Sequence, residues 1–223
     1  MRKVVLSWSS GKDSAWALGR LRARADVEVV GLVTTVHPEA DRVAVHAVPR
    51  TLVRAQAAAL GLPLDEVEIP SPCPNEAYER AMAGAVERAR AHGVEAFAFG
   101  DLFLEDIRRY REAQLDASGM GSMFPLWGAD TTELARDMVA GGLDAVVTCV
   151  DPKQLDPAFA GRRWDRALLD ALPAGVDPCG ENGELHTFAS DGPGFARPVP
   201  FRRGPVVERD GFVYAELRSA ERR

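Results

Sequence analysis

The run Val4-Val5-Leu6-Ser7-Trp8-Ser9-Ser10-Gly11-Lys12-Asp13-Ser14 passes from an apolar stretch, through small polar residues, into a helical pattern. Val4 to Trp8 reads as a buried strand, and Asp13 to Ala25 as a helix carrying Ala15, Leu18 and Leu21 at three-residue spacing. A serine- and glycine-containing loop between a strand end and a helix start lets backbone amides close around an anion, and the helix dipole adds attraction. Lys12 brings a point charge suited to phosphate oxygens. Ser9 and Ser14 offer hydroxyl donors, and Asp13 suits either a helix cap or a water-mediated magnesium contact. The plain alternative is a Ser/Asp helix cap with an incidental lysine. The loop lacks the first glycine and spacer of G-x-x-x-x-G-K-[ST], has Asp13 after the lysine, and does not fit G-x-G-x-x-G.

Outward from this loop, short β-rich runs alternate with longer helical patterns. Strands are expected at Val27 to Val36, Leu64 to Ile69, Val94 to Phe99 and Leu143 to Val150. Helices are expected at Pro49 to Leu60, Asn75 to His92, Leu102 to Ala117 and Thr131 to Ala140. Gly61, Gly93 and Gly141 read as left-handed helix stops. The alternation predicts an α/β fold, a doubly wound, mostly parallel five-stranded sheet covered on both faces. After Asp151 the pattern weakens. Asp165 to Leu172 is helical, and Val206 to Glu208 and Phe212 to Leu217 flank the hairpin signal Asp210-Gly211. The expected division is a nucleotide-loop domain over 1–150 and a smaller substrate-facing region over 151–223. Arg218, Arg222 and Arg223 read as a solvated basic tail.

With 223 residues, 46% hydrophobic and 27% charged, the chain has ordinary globular usage and length enough for one large α/β domain. Its net charge of −6 argues against a dedicated duplex-nucleic-acid binder. No apolar run reaches the length of a membrane span. Ser7 and Ser9 to Asp13 interrupt the basic, apolar start, so a secretory leader is not expected and a cytoplasmic protein is. Cys73, Cys149 and Cys179 are dispersed, which suits reduced thiols rather than a disulfide framework. His37, His46 and His92 are scattered, which does not suit a histidine metal site.

Further candidates come from position and type. Gly100-Asp101 follows the fourth expected strand, where ligands of open α/β sheets bind. Asp101 suits either a helix cap or a place facing magnesium and phosphate. Glu105/Arg109 and Arg108/Glu112 stand four apart on the next helix. Glu181 and Glu184, with His186 and Thr187, lie in a glycine-punctuated stretch. Two carboxylates there suit orienting an amine, taking its proton or meeting a substrate, and an ordinary acidic turn is the alternative. His186 is a candidate base near neutral pH. Trp127, in Pro125-Leu126-Trp127-Gly128, reads as part of a packed turn or as a pocket wall.

The loop resembles the S-G-G-K-D-S pyrophosphate loop of the N-type ATP pyrophosphatases, with Ser10 in place of the first glycine. Ala47 to Leu64, Phe99-Gly100-Asp101-Leu102, Pro125 to Gly128, Gly180 to Phe188 and Asp191-Gly192-Pro193 are similar, in order and spacing, to the diphthine–ammonia ligase family. The resemblance implies a Rossmann-like, HUP-type fold. It implies ATP held by Ser9, Ser10, Gly11, Lys12, Asp13, Ser14, Thr34, Gly100 and Asp101, with Mg2+ at Asp13 and Asp101. The implied reaction adenylates a carboxylate, releasing pyrophosphate, and then joins it to ammonia, with Lys12, Asp13, Glu181 and Glu184 catalytic. Trp127, Glu181, Glu184, His186 and Thr187 would meet the acceptor, which in that family is diphthine on elongation factor 2. The H-T form at His186-Thr187 resembles short members, for which the acceptor, the nitrogen source and a homodimer stay open. Another adenylating enzyme of the same superfamily, acting on a metabolite or an RNA, and a nucleotide-binding sensor are the alternatives.

Overall fold

The computed structural model describes residues 1–44 and 47–220. His46, Arg222 and Arg223 lie outside the described residues.

The first half builds a sheet from β1 (Arg2–Ser7), β2 (Val27–His37), β3 (Arg42–Val43), β4 (Leu64–Glu68), β5 (Ala96–Ala98) and β6 (Gly121–Met123). Five of these run parallel in the order β4-β2-β1-β5-β6, and β3 adds antiparallel to the end of β2. The connecting helices are α1 (Lys12–Arg22), α2 (Arg50–Leu60), α3 (Asn75–Ala91) and α4 (Glu105–Asp116). The chain moves outward one way from β1 to β2 and β4, then returns to place β5 on the other side. The sheet therefore has its switch point between β1 and β5, and the crevice beyond their carboxyl ends is where such folds take ligands.

The second half adds α5 (Thr131–Ala140), β7 (Asp144–Val150), a 3-10 turn at Pro157–Phe159, α6 (Arg166–Ala171), β8 (Leu185–Asp191), β9 (Phe201–Arg209) and β10 (Phe212–Ser219). Its four strands pair antiparallel in the order β8-β7-β10-β9. This corrects one expectation. The strand at Leu143 to Val150 belongs to the second sheet, and the fifth parallel strand is the three-residue Gly121–Met123. The change of sheet thus falls between residues 123 and 144, ahead of the division expected at 150. The hairpin at Asp210-Gly211 forms, with positive φ at both residues, but β9 is longer than its sequence signal.

One apolar core joins the halves. Val4, Leu6, Leu18 and Leu21 of the first half cluster with Val147, Val150, Trp164 and Phe188 of the second. Each fully buried leucine here contributes about 1.5–3 kcal/mol relative to exposure. Gly61 and Gly93 have the expected positive φ, but Gly141 does not (φ −79), and Gly142 takes the left-handed turn instead. Gly141 answers a different demand. A Cβ there would stand 2.5 Å from the Trp16 ring.

Candidate functional site

The loop after β1 lies at the switch point, as its sequence position predicts. Gly11 is the N-cap of α1 and its helix has no side-chain cap bond. Ala15 N makes the first intrahelical bond, to Gly11 O, so the amides before it need other acceptors. Lys12 N donates to Thr187 Oγ1 on β8 at 3.0 Å. Gly11 N donates to Ser9 Oγ at 3.3 Å, and the Ser9 and Ser14 hydroxyls meet at 3.2 Å. Ser14 Oγ also donates to Gly11 O at 3.0 Å.

Ser10 has a left-handed backbone (φ 70), the conformation the glycine of the resembling loop adopts without cost. It is fully buried, and its Oγ has no hydrogen-bond partner among the described residues. Gln56, which the sequence reading passed over, clamps this position. Its Nε2 donates to Ser10 O (3.0 Å) and Ala189 O (2.7 Å), and its Oε1 accepts from Trp8 Nε1 (2.8 Å). Ala189 N adds a second bond to Ser10 O at 2.9 Å. The signal was a lone amide among Leu52, Val53, Ala57 and Leu60 on the buried face of α2.

Lys12 is 1% exposed. Its Nζ donates to Asp13 Oδ2 at 2.8 Å and to Asp13 Oδ1 at 3.0 Å, and also to the Cys179 carbonyl. It lies 5.5 Å from the Trp164 ring. Burial opposes its charge, but Asp13 and the neighbouring acids outweigh that and hold the ammonium above its ordinary value. Burial pushes the Asp13 carboxyl up, against the pull of Lys12. The ammonium thus faces the second half of the chain rather than standing open above the loop.

Gly100 fits against α1. A Cβ there would sit 3.1 Å from Asp13 C and Ser14 N. Asp101 does not cap α4, whose N-cap is Leu104. It pairs with Arg111, Nε to Oδ2 at 3.1 Å, and that guanidinium lies 4.3 Å from the Phe99 ring. Arg108 pairs with Glu112 as expected (2.7 Å), while Arg109 takes Asp106 (2.5 Å) rather than Glu105.

Glu181 reaches the same place from the second half. Its Oε1 accepts from Leu102 N at 2.7 Å, and its own amide donates to Asp177 Oδ2 at 2.8 Å. Burial pushes its carboxyl up to about 7, with Asp13 and Asp101 adding repulsion against the bonds from Leu102 and Phe103. Glu184 has a different environment. It is 2% exposed, and its Oε1 accepts from Asp177 N and Asn182 Nδ2, both at 3.0 Å, so this oxygen holds the loop together. Burial and Lys12 push His186 down to about 4, which favours a neutral imidazole at pH 7. Thr187 is a joint between β8 and the loop. Thr34 is buried on β2 with its Oγ1 unpartnered among the described residues. Trp127 packs edge-on against Phe124, centroids 5.9 Å apart, under Arg108 at 4.7 Å.

Among the described residues, no group of three or more His, Cys, Asp and Glu could hold a metal ion. The three cysteines are free. Burial pushes the Cys179 thiol well up, so it stays protonated at neutral pH and a poor nucleophile. No helix among the described residues is long and apolar enough to cross a membrane.

Fold and site together define a Rossmann-like α/β protein with a pyrophosphate-type loop at its switch point, closed by a second antiparallel sheet. The chain belongs to the diphthamide synthase family. Residues 1–122 match the family model described as diphthamide synthase N-terminal domain, and residues 130–204 match the one described as diphthamide synthase C-terminal domain. Similar relatives are named diphthine–ammonia ligase. That of Schizosaccharomyces pombe is 30% identical over 120 residues, covering 52% of this chain and 20% of that protein. Those of Bos taurus and Homo sapiens are each 28% identical over 130 residues, covering 56% of this chain and 48% of theirs. The match thus spans about half the length of the mammalian relatives and a fifth of the yeast one.

Proposed function

We propose that the chain is an AMP-forming, ATP-dependent carboxylate–ammonia ligase of the diphthine–ammonia ligase type. The observation that carries this reading is the meeting of two loops. The helix-start loop, Ser9 to Ser14, is bonded through Lys12 to Thr187 and to the Cys179 carbonyl, and Glu181 of the same segment accepts from Leu102 N just beyond β5. An anion-receiving turn and a half-buried carboxylate from the acceptor-side segment would thus meet one substrate, as its activation and amidation require.

Two features suit a polyphosphate there. The buried Ser10 Oγ has no partner among the described residues, and a Cβ at Gly100 would stand a tight 3.1 Å from the start of α1. The amides at the start of α1 and the Lys12 charge oppose the negative charge that gathers on departing pyrophosphate. Asp13 orients Lys12. Asp13 and Asp101 are the carboxylates that would hold Mg2+ brought with the triphosphate, where it would neutralise the outer oxygens. The acceptor carboxylate attacks the innermost phosphorus, and ammonia then displaces AMP. Glu181, held near neutrality, is suited to take the proton that the attacking nitrogen sheds. Trp127 and the 181–187 stretch face acceptor chemistry in this scheme. The partners are ATP, ammonia and a carboxylate-bearing acceptor, with elongation factor 2 diphthine the first candidate. Protonated Cys179 favours amide formation over sulfur transfer. Incubation with Mg-ATP, 15N-ammonium and diphthine-bearing elongation factor 2 tests the reading. A 15N-labelled amide on the acceptor is expected, and AMP formation without label in the acceptor would refute the ligase assignment.

A further inference from the structure

The loop's shape raises a question that its own residues do not answer. Ser10 occupies a left-handed conformation that costs a non-glycine residue free energy and persists only when its surroundings over-determine it. The Ser9–Ser14 and Gly11–Ser9 bonds do not involve the Ser10 peptide oxygen. That oxygen is fixed from outside, by Gln56 Nε2 on α2 and by Ala189 N on β8. We infer that Gln56 is a positioning residue for phosphate binding, holding the loop in its receptive shape through the Ser10 carbonyl.

The geometry of the amide is specific. Gln56 is fully buried and makes three bonds of 2.7–3.0 Å. The Trp8 indole N–H occupies Oε1, which forces both Nε2 hydrogens toward Ser10 O and Ala189 O. A flipped amide would set oxygen against two carbonyls. Three chain segments, the end of β1, the loop and β8, are therefore tied at one group. Without it, Ala189 N alone holds the Ser10 carbonyl, and the peptide leaves the left-handed region more readily, carrying the following amides out of register.

The inference rests on the reading that this loop takes the outer phosphates. The test is calorimetric titration of wild type, Gln56→Met, Ser10→Gly and the double variant with ATP, inorganic pyrophosphate and AMP, with folding checked by thermal unfolding. Gln56→Met is expected to weaken ATP and pyrophosphate by about tenfold each, the order of the backbone strain released, and to leave AMP unchanged. In the Ser10→Gly background the same substitution should cost less, because glycine adopts the turn unaided. Trp8→Phe, which removes the N–H that orients the amide together with part of a buried ring, should show a smaller loss of the same kind and serves if Gln56→Met does not fold. Unchanged pyrophosphate affinity in a folded variant, an equal loss for AMP, or an undiminished penalty in the Ser10→Gly background would overturn the inference. A wild-type chain that binds neither ATP nor pyrophosphate would instead refute the loop reading on which it rests.

Discussion

Ser10 and Glu181 show what single positions do to this site. Replacing Ser10 by glycine removes a left-handed non-glycine residue and a buried hydroxyl with no partner among the described residues. The exchange should stabilise the chain by about 1 kcal/mol, raising Tm by about 2–4 °C in a scanning experiment. A lower Tm would mean that the hydroxyl is satisfied in solution. Glu181 carries its proton more tightly in the folded chain, near 7, than an ordinary carboxyl at 4.5. Between those values the folded state holds the extra proton, so this residue's contribution to stability falls as pH rises through that window. Glu181→Gln should flatten the decline, as denaturant titrations at pH 5 and pH 8 would show. If Glu181 accepts the ammonia proton, wild-type amidation should climb through pH 7 and the variant should lose that limb. Lys12, Asp13 and Glu181 stand out as candidates in the sequence because of their types and places. Gln56 was not, since an amide on a helix ordinarily faces water, and only its place on the apolar face of α2 gives it away.

At the level of elements, the fit of β5's end against the first turn of α1 is a close one. Gly100→Ala would push a methyl to 3.1 Å from backbone atoms that cannot step aside without moving the loop. We expect a destabilisation of about 1–3 kcal/mol, together with weaker nucleotide binding, measured by unfolding and by titration. Equal binding to wild type would show that α1 tolerates the displacement. Most helices and parallel strands were readable from periodicity, because each shows an apolar face or a β-branched run. Gly121–Met123 was not, being three residues long with no β-branched side chain. Leu143 to Val150 read correctly as a strand but not as to its sheet. The seven residues of β7, six of them buried, suit the centre of a parallel or an antiparallel sheet equally. Its partners β8 and β10 decide the matter, and β8 hid in a stretch whose glycines and carboxylates look like a loop.

The whole molecule works as a seam between two sheets. Lys12 belongs to the first half, yet its amide is capped by Thr187 and its ammonium reaches the Cys179 carbonyl, both from the second. Lys12→Met therefore has two costs. Breaking a nearly buried ion pair that Asp13 shares while about a quarter exposed should cost stability, toward the lower side of about 3–5 kcal/mol. Loss of the charge opposite the leaving group should lower the rate of the folded fraction by about 10²–10³. Turnover measured well below the variant's Tm separates the two, and a folded variant with wild-type turnover would remove Lys12 from the chemistry. Contacts across the seam could not be read from sequence, because the pairs stand 167 and 175 residues apart and no periodicity links them.

The account stands on the position of the phosphates, with the outer two against the Ser9–Ser14 loop and the innermost phosphorus exposed to the acceptor. Separating the nucleotides formed from Mg-ATP in the presence of ammonium and acceptor tests this most directly. AMP and pyrophosphate in equal amounts are the predicted products, and ADP with inorganic phosphate would contradict the account.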